Sequence, residues 1–205
     1  VGSLYSGRPS GSLGGIGCFS THPLKNLNAC GDAGFLTTDD EDIAKQVYLS
    51  RNHGLADRNT VEQFGSVSRM DTLQATILEY RLSRLSQKID KRRKNADMYR
   101  ELLNSSQIHI PEEREEEFNT YHTFVIQCDK RNELKKYLLK QGIETAIHYP
   151  VPIHLQPAAS HLGYSKGDFP VTETQSERIL TLPIHQYLQE STIINISNCI
   201  NAFFS

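Results

Sequence analysis

The sequence predicts an α/β chain in two parts, residues 1–104 and 105–205, and three observations carry that prediction. A short apolar run at 16–20 fits a buried strand, residues 34–38 fit a second strand, and a capped helix pattern follows them. Residues 71–103 contain neither Pro nor Gly, and Leu73, Ile77, Tyr80, Leu85 and Ile89 recur at near-helical spacing. Beyond residue 105 a strand, a helix and a second strand succeed one another, the pattern of a small α/β domain.

The elements follow in order. Residues 1–14 are rich in Gly and Ser and read as a loop. Asp39 and Asp40 are N-cap candidates for a helix that ends near Asn52, His53 and Gly54. Residues 55–68 read as a polar loop. The 71–103 stretch is expected as one long linking helix, with Lys91, Arg92, Arg93 and Lys94 on a solvated face. The acidic run from Glu112 to Glu117 reads as a solvated loop. Residues 121–126 alternate like a half-buried strand. A helix over 132–141 ends at Gly142, the usual place for a left-handed C-terminal cap. Residues 143–149 read as a returning strand, in a mostly antiparallel sheet, and two further helices are expected near 172–179 and 189–203.

Composition sets limits on function. A chain of 205 residues has room for one moderate domain, or one domain and part of another. A net charge of −2 gives no basic field for bulk nucleic-acid binding. No apolar run approaches the roughly 18–20 residues that cross a bilayer. No signal peptide opens the sequence, so a cytoplasmic location is the default expectation. Cys18, Cys30, Cys128 and Cys199 form no CxxC pair and no zinc-type cluster with His, so they read as small core or near-core thiols, and no metal is expected. There is no initiator Met, and the opening Val1, Gly2, Ser3, Leu4 and Tyr5 read like the middle of a protein, so a larger N-terminal part is expected to precede them.

The chemistry concentrates in the string CFSTHPLKNLNACGDAG, residues 18–34. A buried strand delivers Ser20 and, five residues later, Lys25, in a turn bracketed by glycines. An amine held there, partly out of water, is nucleophilic toward a carbonyl, and the nearby hydroxyl can bind a phosphate. A lone lysine in a turn is more commonly just solvated, so the surrounding pattern has to carry the assignment.

That pattern resembles the cofactor-lysine motif of the DegT/DnrJ/EryC1/StrS family of pyridoxal-phosphate-dependent, fold-type-I sugar aminotransferases. The likeness continues through Leu49, Ser50, Arg51, Asn52, His53 and Gly54, and through residues 64–75, which contain Arg69, Met70 and Gln74. It resumes at residues 148–154 and at Leu182, Pro183, Ile184 and His185. The resemblance implies that residues 1–104 are the C-terminal part of the large cofactor-binding domain with its long helix, and residues 105–205 the small α/β domain. It implies that Lys25 holds pyridoxal 5′-phosphate and moves a proton, that Ser20 contacts the phosphate, and that Asn26 helps to hold the site. Arg69 matches an arginine that reaches the neighbouring subunit's site in a homodimer with shared active sites. His148, Tyr149 and His154 match positions that face the substrate; His22 and His185 are weaker candidates. Val67 departs from the family pattern, where an Asn often binds phosphate across the dimer, so that Ser66 or Ser68 would substitute or the contact would be lost. The implied reaction is amino transfer from glutamate or glutamine to a nucleotide-linked keto-sugar, in surface-polysaccharide or amino-sugar biosynthesis. Two alternatives stand beside it: a pyridoxal-phosphate-dependent sugar dehydratase, which Lys25 disfavours because such relatives carry His there, and a non-catalytic fragment that dimerises without cofactor.

Overall fold

A computed structural model describes all of residues 1–205, which divide into two compact units. The first comprises Val1–Asp90 and Glu113–Thr120; the second comprises Lys91–Glu112 and Tyr121–Ser205. The chain therefore passes between them three times, whereas the sequence places a single boundary after residue 104. No helix is long and apolar enough to cross a membrane.

In the first unit, β1 (Leu4–Tyr5) and β2 (Arg8–Pro9) form a hairpin across Ser6 and Gly7. Both turn residues have positive φ, 47° and 74°, the requirement of a two-residue turn that matches strand twist. The expected loop over 1–14 thus contains a hairpin, too short to leave a two-residue periodicity in the sequence. Next come β3 (Gly17–Ser20) and β4 (Gly34–Thr37), antiparallel with Cys18 opposite Leu36 and Ser20 opposite Gly34. Phe19 and Phe35 stack across this pair at 4.8 Å between ring centroids. Helix α1 (Glu41–Ser50) starts as expected, with Asp40 Oδ1 accepting the N–H groups of Asp42 and Ile43.

The single helix expected over 71–103 is two: α2 (Thr72–Leu82) and α3 (Leu85–Leu102). The Ser83 hydroxyl donates to the Tyr80 carbonyl, and the Arg84 N–H takes Arg81 O. Serine competes for backbone carbonyls in this way and interrupts the regular i to i−4 ladder. Of the expected stripe, Leu85 and Ile89 join Leu78, Leu27 and Ala29 in one core, whereas Leu73 and Tyr80 are exposed. After α3, strand β5 (Glu117–Phe118) returns from the acidic run to pair with β1, Leu4 opposite Phe118, so part of that run is sheet and not loop.

The second unit packs helices on an antiparallel sheet. Strands β6 (Phe124–Gln127) and β7 (Ile179–Leu182) pair with Ile126 opposite Leu180. Single bridges extend the sheet on both sides, His109 to Gln127 and Ala146 to Thr181. Helix α4 (Arg131–Lys140) ends in a Schellman motif: Gly142 has φ 76°, its N–H takes Leu139 O at 3.0 Å, and Ile143 N–H takes Leu138 O at 2.9 Å. Beyond it the expected strand over 143–149 shrinks to the Ala146 bridge, because Pro150 and Pro152 cannot donate to a ladder. Helices α5 (Pro170–Arg178) and α6 (Glu190–Phe204) follow. Ile193, Ile196 and Ile200 of α6 recur at helical spacing and pack with Leu134, Leu138, Phe124 and Tyr99 in one core.

Two further expectations are corrected. Arg92 does not sit on a solvated face; it is buried and donates to the carbonyls of Tyr121 and His122 and to Gln186 Oε1. Burial pushes its guanidinium pKa down, and neutral acceptors carry the charge in place of a carboxylate. Of the cysteines, Cys128 is buried and Cys199 half-buried, but Cys18 and Cys30 are exposed.

The contrast in burial sets a stability test. Leu134 is fully buried and Ile153 is 85% exposed. Leu134→Ala should cost about 2–5 kcal/mol in denaturant unfolding through lost transfer energy and the cavity left behind. Ile153→Ala should change the unfolding free energy by less than about 0.5 kcal/mol.

Candidate functional site

The Lys25 turn grows out of β3. After Ser20 the chain stays in register for one more step, Thr21 N–H to Ala33 O and Ala29 N–H to Thr21 O. His22, Pro23, Leu24 and Lys25 then form a turn closed by Lys25 N–H to His22 O at 2.9 Å, with Pro at the position whose fixed φ favours it. The His22 ring is used locally: its Nδ1 accepts the Leu24 N–H, and its Nε2 lies 3.8 Å from Asp32 Oδ1. Lys25 is half-buried, and Ser20 is exposed at the strand end with its hydroxyl oxygen accepting the His22 N–H.

Asn26 is turned away from the exposed side. It is buried, and its Nδ2 donates to the Thr120 carbonyl at 2.9 Å, ninety-four positions along the chain. It therefore anchors the turn. A second anchor was not foreseen. Arg81 on α2 donates to the carbonyls of Asn28 and Ala29 at 2.6 and 3.1 Å, and Gln74 on the same helix accepts the Cys30 N–H at 2.8 Å. The spacing from Gln74 to Arg81 is two helical turns, so the one-face pattern was visible in the sequence while its target was not. Thr21 Oγ1 and Asn26 Oδ1, on either side of Lys25, are buried without hydrogen-bond partners.

Arg69 sits elsewhere in the first unit, on the loop between α1 and α2. Backbone hydrogen bonds lace this loop: His53 N–H to Ser66 O, Ser66 N–H to Ser50 O, Ser68 N–H to Arg51 O, Glu62 N–H to Gly54 O. Gly54 has φ 72°, and a Cβ there would strike the Gln63 carbonyl oxygen, so only glycine fits. Arg69 is exposed and donates to Asn52 Oδ1 at 3.1 Å. Around it Phe64 is fully exposed, and Val61 and Val67 are exposed as well. Val67 lies opposite Asn52 in a single bridge, and the N–H groups of Ser66 and Ser68 are both used within the loop.

In the second unit the candidate residues divide. His148 and Tyr149 are exposed, joined by a cis peptide bond and packed edge-on at 5.4 Å, and His148 Nδ1 lies 2.9 Å from Thr181 Oγ1. His154 differs: its side chain is 8% exposed and its Nε2 is committed to Glu173 Oε1 at 2.9 Å. Glu173 also accepts the N–H groups of Gly167 and Phe169, and Phe169 packs on the His154 ring at 4.7 Å. His154 thus fixes the turn at 165–169 and does not offer its Nε2 outward. His185 is used through its backbone, whose carbonyl accepts from Asn95, and burial lowers its pKa, with Arg92 adding to the effect.

With that geometry in place, the chain can be compared with known proteins. It matches the DegT/DnrJ/EryC1/StrS aminotransferase family over residues 1–201 and belongs to that family. Among curated proteins, a UDP-N-acetyl-3-dehydro-alpha-D-glucosamine 3-aminotransferase of Acidithiobacillus ferrooxidans is 36% identical over 98% of this chain and 54% of its own length. The erythromycin biosynthesis sensory transduction protein EryC1 of Saccharopolyspora erythraea is 34% identical over 98% of this chain and 56% of its own. Among solved structures, DesV of S. venezuelae superposes with a TM-score of 0.95 at 31% identity, covering the whole of this chain and 55% of that one. The chain spans about half the length of the curated relatives it matches. The fold-type-I architecture is supported at the level of mixed helices and sheets shared with sugar aminotransferases.

Two predictions follow from these anchors. Asn26→Ala leaves the buried Thr120 carbonyl without its donor and should cost about 1–3 kcal/mol in chemical unfolding. The second concerns acid. The Gly167 N–H holds the Glu173 carboxyl below its ordinary 4.5, helped by His154 and the Phe169 N–H and opposed by burial. Because the folded value is depressed, the stabilisation is complete above the ordinary value and is lost as pH falls through the lower, folded one. The protection of the Gly167 and Phe169 amides, taken relative to the intrinsic exchange rate at each pH, should be high at neutral pH and fall at acid pH, and Glu173→Gln should remove that acid-dependent change.

Proposed function

We propose that the protein carrying this chain transfers an amino group to a nucleotide-linked keto-sugar, with Lys25 holding pyridoxal 5′-phosphate. The observation that carries the reading is the Lys25 turn itself, a half-buried amine on an anchored turn beside a strand-end serine hydroxyl. These residues fit the cofactor. The amine suits its aldehyde, and the Ser20 hydroxyl, whose oxygen accepts a backbone N–H, keeps its proton to donate to a phosphate oxygen. The orphaned Thr21 Oγ1 and Asn26 Oδ1 give the same neighbourhood unused polar capacity.

Pyridoxal phosphate, when bound, supplies the electron sink of amino transfer. The chain supplies the rest. Lys25 would hold the cofactor through its amine and, as a free amine, would serve as the base that moves the substrate's proton. Asn26 and Arg81 hold the turn so that this amine stays in place. His148 and Tyr149 present a polar and aromatic surface to the sugar nucleotide, while His154 positions the turn next to them.

The proposal includes a homodimer with shared sites. Arg69 stands on a rigid, glycine-dependent loop with Phe64, Val61 and Val67 exposed around it. An exposed apolar rim of this kind favours a protein partner, and a guanidinium fork suits a phosphate. With Val67 in place of an amide, Arg69 is the charged donor two positions along the loop. The companion proposals are glutamate or glutamine as amino donor and a cytoplasmic role in polysaccharide or amino-sugar synthesis.

The test uses the full-length polypeptide that carries this chain. Lys25→Arg keeps the charge but stays protonated and cannot bond the aldehyde, so sugar amination should fall to background while thermal unfolding is unchanged. Mixing Lys25→Ala with Arg69→Ala subunits should restore activity, because one of the two sites in a mixed dimer keeps both residues. Full activity of Lys25→Arg would refute the assignment, and no recovery in confirmed mixed dimers would confine Arg69 to its own subunit.

A further inference from the structure

Thr181 lies at the centre of the second unit's sheet. Its backbone is fully engaged: its N–H takes Ala146 O at 2.8 Å and its carbonyl accepts the Ala146 N–H at 3.1 Å, while Val125 stands opposite on β6. The residue is buried, 9% exposed. One β-branched hydroxyl on a fully paired strand has little rotational freedom. His148 comes two positions after Ala146, the diagonal neighbour of Thr181 across the pair, within side-chain reach. The Oγ1 to Nδ1 distance of 2.9 Å is a full hydrogen bond.

We propose that Thr181 is a positioning residue for His148, donating its hydroxyl proton to Nδ1 so that Nε2–H is presented to an oxygen of the nucleotide-sugar. The direction of that bond follows from satisfaction. A buried hydroxyl has one proton to place, and Nδ1 is the acceptor the structure offers it. A neutral imidazole that accepts at Nδ1 carries its proton at Nε2. The exposed ring, held edge-on to Tyr149, then offers a neutral donor at a fixed angle. Diphosphate and sugar hydroxyl oxygens, rich in acceptors, are what such a donor recognises. His154 is the internal contrast, since its Nε2 is already spent on Glu173. The substrate half of this inference rests on the reading of His148 given under the proposed function; the Thr181 half does not.

The experiment is long-range proton–nitrogen correlation NMR on full-length protein labelled with nitrogen-15 histidine, at a pH where the ring is neutral. The expected result is an unprotonated Nδ1 and a protonated Nε2 at His148. Thr181→Ser should keep that tautomer and Thr181→Val, of nearly the same shape, should abolish the preference. The His154 signals report in the same spectra that the fold is kept. Steady-state amination should show KM for the nucleotide-sugar raised about 3- to 10-fold in Thr181→Val with kcat nearly unchanged, the worth of one misplaced neutral hydrogen bond. A protonated Nδ1 in the wild-type protein overturns the proposal, whether or not Thr181→Val folds. An unaltered tautomer and KM in a folded Thr181→Val overturns it as well. UDP-N-acetylglucosamine and dTDP-glucose serve as binding probes and should move the His148 Nε2 resonance. If neither does while the tautomer behaves as expected, His148 is no substrate contact and the functional half falls, leaving the Thr181 pairing as a purely structural bond.

Discussion

The hydrogen bond from Asn26 Nδ2 to the Thr120 carbonyl is the constraint on which the reading of this chain depends. A lysine in a turn has chemical value only if the turn keeps its place. Local sequence cannot ensure that, because the Lys25 N–H to His22 O bond closes the turn without tying it to the rest of the fold. The anchor comes from a segment ninety-four residues later, Thr120, at the end of the stretch that also supplies β5 to the first unit's sheet. Arg81 closes the other flank by taking the carbonyls that follow the turn. One amide and one guanidinium, both directed at backbone carbonyls, convert a flexible loop into a fixed mount. Each also satisfies groups that would be costly to leave bare in a partly buried place.

The same device recurs through the molecule. Arg92 is buried on three neutral acceptors, two of them the carbonyls of Tyr121 and His122. Tyr99 reaches the Pro183 carbonyl at 2.9 Å, and burial raises its phenol pKa. Glu173 gathers two backbone N–H groups and a histidine around one carboxylate. Long polar side chains here secure irregular backbone that no ladder could hold. That arrangement suits a protein whose candidate site residues lie on turns and loops at 22–25, 51–70 and 148–154, with regular elements as frames for them.

The sequence made much of this legible, for identifiable reasons. The Asp40 cap and the Gly142 terminator are short-range devices written in neighbouring residues, and both are where the pattern placed them. The apolar stripes of α4 and α6 were readable because burial imposes a helical period. The break at Ser83 was not, since nothing in composition distinguishes a serine that bonds Tyr80 O from one that faces water. The tiny strands β1, β2 and β5 were invisible because two residues carry no periodicity. Site residues split along the same line. Lys25 and Ser20 sit where the strand-end pattern puts them, within a motif of contiguous residues. Arg92 was misread because its partner Tyr121 is set by tertiary structure alone, and the contacts of Asn26 with Thr120 and of His154 with Glu173 were unreadable for the same reason.

The central claim is that Lys25 is the amine that holds pyridoxal phosphate, and chemical capture tests it most directly. The full-length polypeptide would be incubated with pyridoxal 5′-phosphate, reduced with borohydride, digested, and mapped by mass spectrometry. A pyridoxyl group on Lys25, and on neither Lys45 nor Lys88 at equal stoichiometry, is the predicted result. Both of those lysines lie on helices, α1 and α3, without the strand-end serine and anchored turn that distinguish Lys25. Modification concentrated at any other lysine, or spread evenly among them, would contradict the account.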